Sequence, residues 1–190
     1  MITRNLLAPF LSLVIAASAA TNGEKAPRPS PEFAINMNDG SQISLSQYKG
    51  KVVAVAFILT YCSHCQFTTR ILSKLQNEYG PRGFQVVASA TEDMARMAVP
   101  DFVRKFVPPF PVGFNNRGDV MTYLQHPVMF QLYMPQVVVI DRTGIIRAQF
   151  AGDDKFFAET EQEKNFRALL EPLLKESAAA KSARRTAAHH

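Results

Sequence analysis

A short apolar run that leads directly into a pair of cysteines is the feature that most restricts the fold of this chain. Residues 52–59 read Val-Val-Ala-Val-Ala-Phe-Ile-Leu, which is typical of a central strand covered on both faces. Cys62 and Cys65 follow, and apolar side chains then recur at helical spacing as far as Tyr79, where Gly80-Pro81 ends the pattern. The sequence therefore predicts a buried strand and a helix, with the cysteine pair at their junction.

The rest of the chain extends this pattern into an α/β domain. Residues 84–90 form the next predicted strand after the helix. Strands 52–59 and 84–90 should therefore be parallel and joined by a right-handed crossover. Asn38-Asp39-Gly40 and Asp141-Arg142-Thr143-Gly144 are turn sequences that predict two hairpins. The strands of these hairpins are predicted at 33–37, 43–45, 136–140 and 145–150, and a further short strand at 110–112. Helices are predicted at 92–106, broken near Pro100, at 119–125, and at 164–174, kinked or split at Pro172.

The two ends of the chain differ in composition from the body between them. Residues 1–20 have a basic start, a short apolar stretch and small residues at the end, which predicts a secretory signal peptide. An uncleaved anchor is the alternative, and only in that case do we expect contact with a membrane. Residues 21–30 are predicted to be a proline-containing linker, 31–176 the folded domain, and 177–190 a disordered tail.

The formal net charge of +5 does not indicate nucleic-acid binding, because most of it lies at the two ends. Arg4 and the segment 175–190 together carry all but about one of these charges. A nearly neutral body offers no basic face for a phosphate backbone. His189 and His190 close the chain without further ligands nearby, so we expect no metal site there.

Cys62-Ser63-His64-Cys65 has the spacing of a redox-active pair, and these are the only cysteines in the chain. A thiol at a helix N-terminus faces free N–H groups and the positive end of the helix dipole, which favour its thiolate. Cys62 is therefore the predicted attacking nucleophile. Cys65, one turn later, is predicted to resolve the mixed disulfide by forming a disulfide with Cys62. His64 is predicted to stabilise the Cys62 thiolate further, and Tyr61 to offer a ring for substrate docking; a solvated surface residue and plain packing are the respective alternatives.

Three other uses of the cysteine pair are weaker on chemical grounds. A zinc site needs more ligands than one pair of thiolates supplies. Covalent haem attachment needs a histidine directly after the second cysteine, where Gln66 stands. A purely structural disulfide across two residues contributes little, since chain-entropy stabilisation grows with loop length. We therefore expect no cofactor besides the redox-active disulfide, and no metal.

Met134-Pro135 immediately precedes the predicted strand 136–140. Spacing alone leaves two possibilities open, a trans proline that begins the strand or a cis peptide bond. A cis bond would place the backbone N–H and C=O of Met134 beside the cysteine pair, ready to bind an extended substrate chain. Met134 and Pro135 are therefore predicted substrate-binding residues.

Several of these segments together resemble the extracytoplasmic thioredoxin-like proteins of the TlpA/ResA and redoxin type. The matching segments are Pro31-Glu32-Phe33, Asp39-Gly40, the run 45–53 (Leu-Ser-Gln-Tyr-Lys-Gly-Lys-Val-Val), Cys62-Ser63-His64-Cys65 and 135–141. The resemblance covers 31–176. It implies a thioredoxin-like three-layer fold, in which helices flank a central mixed sheet, with an N-terminal β-hairpin and a central insertion at 92–133. It also implies thiol-disulfide oxidoreductase activity and a cis Met134-Pro135 bond.

The chain departs from the pattern of this family at three positions. Tyr61 replaces the tryptophan that usually precedes the first cysteine, Ala56 stands where thioredoxin has a buried aspartate, and Thr68 stands where haem-maturation reductants often carry a glutamate. The sequence therefore leaves the group that assists deprotonation of Cys65 unidentified. The Ser-His pair between the cysteines is closer to the dipeptides of thiol oxidases and disulfide isomerases, which favours an oxidising or isomerising role.

The sequence thus predicts an exported enzyme, periplasmic or otherwise extracytoplasmic, that exchanges dithiol and disulfide with protein substrates and with a redox partner protein. Whether it oxidises, reduces or isomerises them stays open. A thiol peroxidase is the alternative, because redoxin-type chains share the fold. The peroxidase motif Pro-x-x-x-Thr-x-x-Cys is not matched, however, since Thr60 is one position too close to Cys62 and the proline is missing. A copper-binding thiol protein is a third possibility, since soft thiolates suit Cu(I).

Overall fold

The computed structural model describes residues 26–187, with side chains described for 26–176. The predicted signal peptide lies outside the described residues. Within them the strands are β1 (Arg28–Pro29), β2 (Ala34–Asn36), β3 (Gln42–Ser44), β4 (Val52–Ile58), β5 (Phe84–Ala90), β6 (Val112–Phe114), β7 (Gln136–Ile140) and β8 (Ile145–Phe150). They form one mixed sheet in the order β1-β8-β7-β4-β5-β6-β2-β3.

The centre of the sheet is parallel and its two sides are antiparallel. Strands β4, β5 and β6 run in the same direction. Strand β7 pairs antiparallel with β4 and with β8, and the β2–β3 hairpin pairs antiparallel with β6. The predicted mixed sheet and the N-terminal hairpin are therefore both confirmed.

Helices cover both faces of this sheet. They are α1 (Ser63–Tyr79), α2 (Ala95–Phe106), α3 (Arg117–Leu124) and α4 (Gln162–Ala187). Side chains of α1, α2 and α4 share one buried cluster with the sheet, and side chains of α3 share the other. The predicted three-layer arrangement is thus confirmed, and α2, β6 and α3 occupy the predicted insertion between β5 and β7. None of the helices in the described part of the chain is both long and apolar enough to span a membrane.

Strand β4 supplies side chains to both layers of the core. Its even-numbered residues belong to the cluster that contains α1, and its odd-numbered residues belong to the cluster that contains α3. All seven are buried, because successive side chains of a strand point to opposite faces. The unbroken apolar run is therefore explained by a central strand with a helical layer on each side.

Two prolines lie within helices rather than interrupting them. Pro100 is inside α2 and Pro172 is inside α4, although the sequence predicted a break near the first and a kink or split at the second. A proline inside a helix removes one hydrogen bond and costs about 3 kcal/mol. Each helix, however, has buried apolar side chains on both sides of its proline, for example Val99 and Phe102 in α2. Packing against the sheet therefore outweighs the local cost.

The segments predicted to be irregular at the two ends also contain regular structure. Arg28 of the predicted linker lies in β1, and its guanidinium donates to the Tyr123 carbonyl at 3.1 Å and to Gln149 Oε1 at 3.0 Å. At the other end, α4 continues to Ala187, through residues that the sequence predicted as a disordered tail. Alanine, lysine and arginine dominate that segment and are strong helix formers, so they extend the helix without apolar periodicity.

Candidate active site

A tight turn between β4 and α1 sets the position of the first cysteine. The N–H of Cys62 donates to the Leu59 carbonyl at 3.1 Å, and the Cys62 carbonyl accepts the N–H of Gln66 at 3.0 Å. Cys62 is the N-cap residue of α1, with extended backbone angles. The structure therefore places its thiol at the helix N-terminus, as the sequence predicted. Tyr61, the preceding residue, has 71% of its surface exposed, so its ring is available to a partner.

The two thiols differ sharply in their surroundings. Cys62 is partly exposed, whereas Cys65 is completely buried within the cluster beneath α1. Burial raises the pKa of the Cys65 thiol far above its ordinary value, and the nearby Cys62 and Glu92 raise it further, while the N–H of Leu59, 3.4 Å from Cys65 Sγ, acts in the opposite direction. Both cysteines are thiols in this structure, so their disulfide remains a prediction.

His64 occupies the first turn of α1 and is exposed. Its side chain is thus on the same turn as Cys62, but its predicted effect on the Cys62 thiolate is not tested by this geometry. The two positions at which related proteins carry an acid are buried and uncharged here. Ala56 lies in β4, and the hydroxyl of Thr68 in α1 is buried without a hydrogen-bond partner among the described residues.

The Met134-Pro135 peptide bond is cis, as the family resemblance implied. The antiparallel register pairs Gln136, the first residue of β7, with Phe57 of β4, so Pro135 and Met134 lie beside the end of β4, where the turn that carries Cys62 begins. Met134 packs against both core clusters, and Cys62 packs against one of them. The structure therefore brings the predicted substrate-binding residues to the same edge of the sheet as the cysteines.

Two residues that the sequence did not single out hold this proline loop in place. Gln136 is buried, and its Nε2 donates to the Tyr133 carbonyl at 2.6 Å. The N–H of Gly152 donates to the same carbonyl at 3.2 Å. A Cβ atom at Gly152 would lie 2.3 Å from the Met134 oxygen and 2.4 Å from its carbonyl carbon. The absence of a side chain at 152 therefore lets the two backbones touch; an isolated glycine just after a predicted strand was the only sequence signal.

Large apolar side chains are exposed in the segment that leads to this loop. The exposed side chains are Val128, Met129, Phe130 and Tyr133. Exposed apolar groups next to a functional loop are typical of a surface that binds another protein. Together with Tyr61 they provide apolar surface on the chain segments that flank the cysteines and the cis-proline.

Glu92 is a further residue of the site that the sequence did not identify. It follows β5, and its Oε1 accepts the N–H of Thr60 at 3.0 Å as well as the Thr60 hydroxyl. Gln66 Nε2 in turn donates to the Thr60 carbonyl at 2.9 Å. The carboxylate is thus bound to the same turn that carries Cys62. A glutamate after a strand gave no signal in the sequence, because its partner Thr60 lies in the turn after the neighbouring strand β4.

The described residues contain no group of three or more His, Cys, Asp or Glu side chains placed to hold a metal ion. What converges at the C-terminal end of β4 is instead a pair of thiols of unequal exposure beside a cis-proline backbone. This arrangement supports dithiol–disulfide exchange, and the protein is a thiol-disulfide oxidoreductase with a thioredoxin-like fold.

Comparison with known proteins agrees with this class. A family model described as Redoxin matches residues 21–170, and the chain belongs to the redoxin family. The thiol-disulfide oxidoreductase ResA of Bacillus thuringiensis subsp. konkukian (strain 97-27) is 27% identical over 124 residues, which cover 65% of this chain and 68% of that protein. The thioredoxin-like protein YneN of Bacillus subtilis (strain 168) is 26% identical over 123 residues, which cover 62% and 66%.

Solved structures share the fold. The crystal structure of a thiol:disulfide interchange protein, a thioredoxin family protein from Chlorobium tepidum TLS, superposes with a TM-score of 0.64 at 20% identity, covering 80% of this chain and 99% of that one. At this identity the likeness concerns the fold alone. The predicted resemblance, fold class and enzyme class are therefore confirmed.

Proposed function

We propose that the protein is exported and that it exchanges dithiol and disulfide with polypeptide substrates outside the cytoplasm. The observation that carries this proposal is the unequal exposure of the two thiols. A disulfide on another protein can reach the partly exposed Cys62, whereas the buried Cys65 can react only with Cys62. This is the asymmetry that an attacking and a resolving cysteine need. The chemistry requires no cofactor besides the disulfide that the pair forms.

The proline loop and the exposed apolar side chains support a polypeptide as the substrate. The Met134 backbone precedes β7 beside the end of β4, so we expect an extended substrate chain to pair with it by backbone hydrogen bonds. The exposed residues Tyr61, Met129 and Phe130 suit apolar side chains of a chain that has not yet folded. A redox partner protein that restores the pair would use the same surface.

The proposal is tested by exchange with a polypeptide disulfide. The reduced wild-type protein should reduce the disulfides of insulin, and Cys62→Ser should abolish this activity. Activity that survives in Cys62→Ser would contradict the proposal. The direction of exchange is then given by the reduction potential of the pair against glutathione. A value near that of thioredoxin, about −270 mV, identifies a reductant, and one near about −120 mV an oxidase.

Peroxide reduction is the competing activity within this family. The peroxidase motif has its threonine three residues before the cysteine, where Leu59 stands here, and the N–H and hydroxyl of the neighbouring Thr60 both donate to Glu92. Because both donors of Thr60 are bound to Glu92, they are not free to bind a peroxide, which favours disulfide exchange. Peroxide consumption and insulin reduction, measured with the same preparation, separate the two activities. Titration of the reduced protein with Cu(I) tests the copper-binding alternative.

Export is proposed from the signal-peptide pattern of residues 1–20. The mature protein should then begin at Ala20 or Thr21. N-terminal sequencing of the exported protein tests this, and a chain that still begins at Met1 would contradict cleavage.

A further inference from the structure

Resolution of a mixed disulfide requires Cys65 to lose its proton. The Cys65 side chain has no exposed surface, so the proton cannot pass directly to bulk water. The acids that stand at positions 56 and 68 in related proteins are replaced by Ala56 and Thr68. A different group must therefore receive the proton.

Glu92 is the carboxylate that the fold brings to the cysteine pair. The ends of β4 and β5 are joined by the N–H of Thr91, which donates to the Ile58 carbonyl at 3.0 Å. This junction places Glu92 beside the turn that follows β4. Two consecutive amides of that turn then bind the two groups: Leu59 N–H donates to Cys65 Sγ at 3.4 Å, and Thr60 N–H donates to Glu92 Oε1 at 3.0 Å. The Cys65 thiol and the Glu92 carboxylate are therefore bound by adjacent backbone amides of the same turn.

The second oxygen of this carboxylate, Glu92 Oε2, can still accept a hydrogen bond or a proton. Thr60 uses Oε1 for both of its donors, whereas Oε2 is buried and has no hydrogen-bond partner among the described residues. Buried polar atoms are almost always paired, so an unpaired carboxylate oxygen needs an explanation. The negative charge of Glu92 is the smallest of the contributions to the raised pKa of Cys65, after burial and the Cys62 thiol.

We propose that Glu92 is the proton acceptor for Cys65 during resolution of the mixed disulfide, a role that rests on the disulfide exchange proposed above. In this step the proton moves from Cys65 Sγ to Glu92 Oε2. The Cys65 thiolate forms a bond to Cys62 Sγ, and the bond between Cys62 Sγ and the substrate sulfur breaks. The substrate leaves as a thiolate and takes a proton from solvent. The cysteine pair is oxidised by two electrons and the substrate disulfide is reduced by two. In the oxidising direction the same steps run in reverse, with Glu92 returning the proton to Cys65.

The test uses a synthetic peptide dimer joined by one disulfide, mixed with the reduced full-length protein. Attack by Cys62 releases the first peptide thiol, and resolution by Cys65 releases the second. Glu92→Gln keeps an oxygen that can accept from Thr60 but cannot take a proton at neutral pH. We expect it to slow the second release at pH 7 by about a hundredfold or more, the lower end of the range for general acid–base catalysis, and to move the pH profile of that release upward. The first release should stay within about twofold of wild type.

Asp93→Asn is the matched control, because Asp93 is the neighbouring acid and is exposed; both of its releases should match wild type. If Glu92→Gln releases the second peptide thiol at the wild-type rate, the role of Glu92 is overturned and disulfide exchange stands. An equal fall in the rates of both releases would also overturn the role of Glu92. If the wild type releases no peptide thiol at all, the proposed function itself fails, and this role with it.

A second measurement needs no variant and therefore carries no folding risk. When the reduced wild-type protein is titrated with acid, the ¹³Cβ resonance of Cys65 should move, because protonation of a carboxylate in position to take its proton changes the local field. A resonance that stays constant throughout the acid titration would also overturn the proposal.

Discussion

Gly152→Ala tests whether the backbone of Met134 is part of the substrate-binding surface. The new Cβ would lie 2.3 Å from the Met134 oxygen and 2.4 Å from its carbonyl carbon, whereas ordinary contacts begin near 3.4 Å. The two backbones must therefore separate by about 1 Å. Overpacking of this kind costs about 1–3 kcal/mol, which for a chain of this size lowers Tm by roughly 2–12 °C.

The same displacement should weaken exchange with polypeptides more than exchange with small disulfides. Loss of the two backbone hydrogen bonds proposed between Met134 and a bound substrate chain is worth about 1–3 kcal/mol, or roughly 5- to 150-fold in rate. Stopped-flow exchange with a disulfide-containing peptide measures this loss. Exchange with glutathione disulfide, which uses the two thiols but needs no pairing with the Met134 backbone, should change by less than about twofold in rate.

Gly144→Ala provides a control of similar stability cost. Gly144 has φ +87, and a Cβ added there would have no atom within 4 Å, so alanine strains the backbone by about 1–2 kcal/mol at the opposite end of β7. It should lower Tm without changing either exchange rate. If Gly152→Ala lowers Tm but exchanges with the peptide at the wild-type rate, or if it slows both substrates equally, the reasoning about Met134 is refuted.

Three further predictions concern the thiols. Because burial raises the pKa of Cys65 above the value of 9.0 expected for an unburied thiol, the folded dithiol form holds this proton more tightly than the unfolded chain does. The contribution of this proton to the stability of the dithiol form is complete below pH 9.0 and is lost as the pH rises above it. Urea denaturation should therefore show the dithiol form losing stability relative to the disulfide form above about pH 9. Equal losses of stability in the two forms would contradict this. The raised pKa of Tyr123, about 12, acts in both forms and cancels. Cys65→Ser should trap mixed disulfides with substrates on non-reducing gels and Cys62→Ser should not, because only the partly exposed thiol attacks; preferential alkylation of Cys65 at neutral pH would reverse the assignment. His64→Ala should make the couple more reducing, by about 30 mV for each tenfold change in the exchange equilibrium with glutathione, and an unchanged potential would make His64 a surface residue only.

Local patterns were sufficient wherever neighbours in sequence are also neighbours in space. The apolar run of β4, the helical spacing after Cys62 and the turn sequences of the hairpins each correspond to an element in the structure. The position of Cys62 at the start of α1 follows from the same local order. The redox pair and the class of enzyme could therefore be predicted without any tertiary information.

Local rules failed where packing overrides them. Pro100 predicted a break, yet α2 continues through it, and α4 is not split at Pro172. The free energy that holds these helices comes from burial against the sheet, and a single-residue rule does not include it. Arg28 likewise looked like part of a linker, because its partners Tyr123 and Gln149 are far away in the sequence.

The order of residues along the chain predicts which two sulfur atoms exchange electrons and that they lie at the start of a helix. The groups around these atoms depend on strand pairing: Glu92 reaches the turn after β4 because β5 pairs with β4, and Gly152 touches Met134 because β8 pairs with β7. Strand pairing joins segments that are remote along the chain. Its register is set by the whole buried sheet, so no local spacing or motif encodes these contacts.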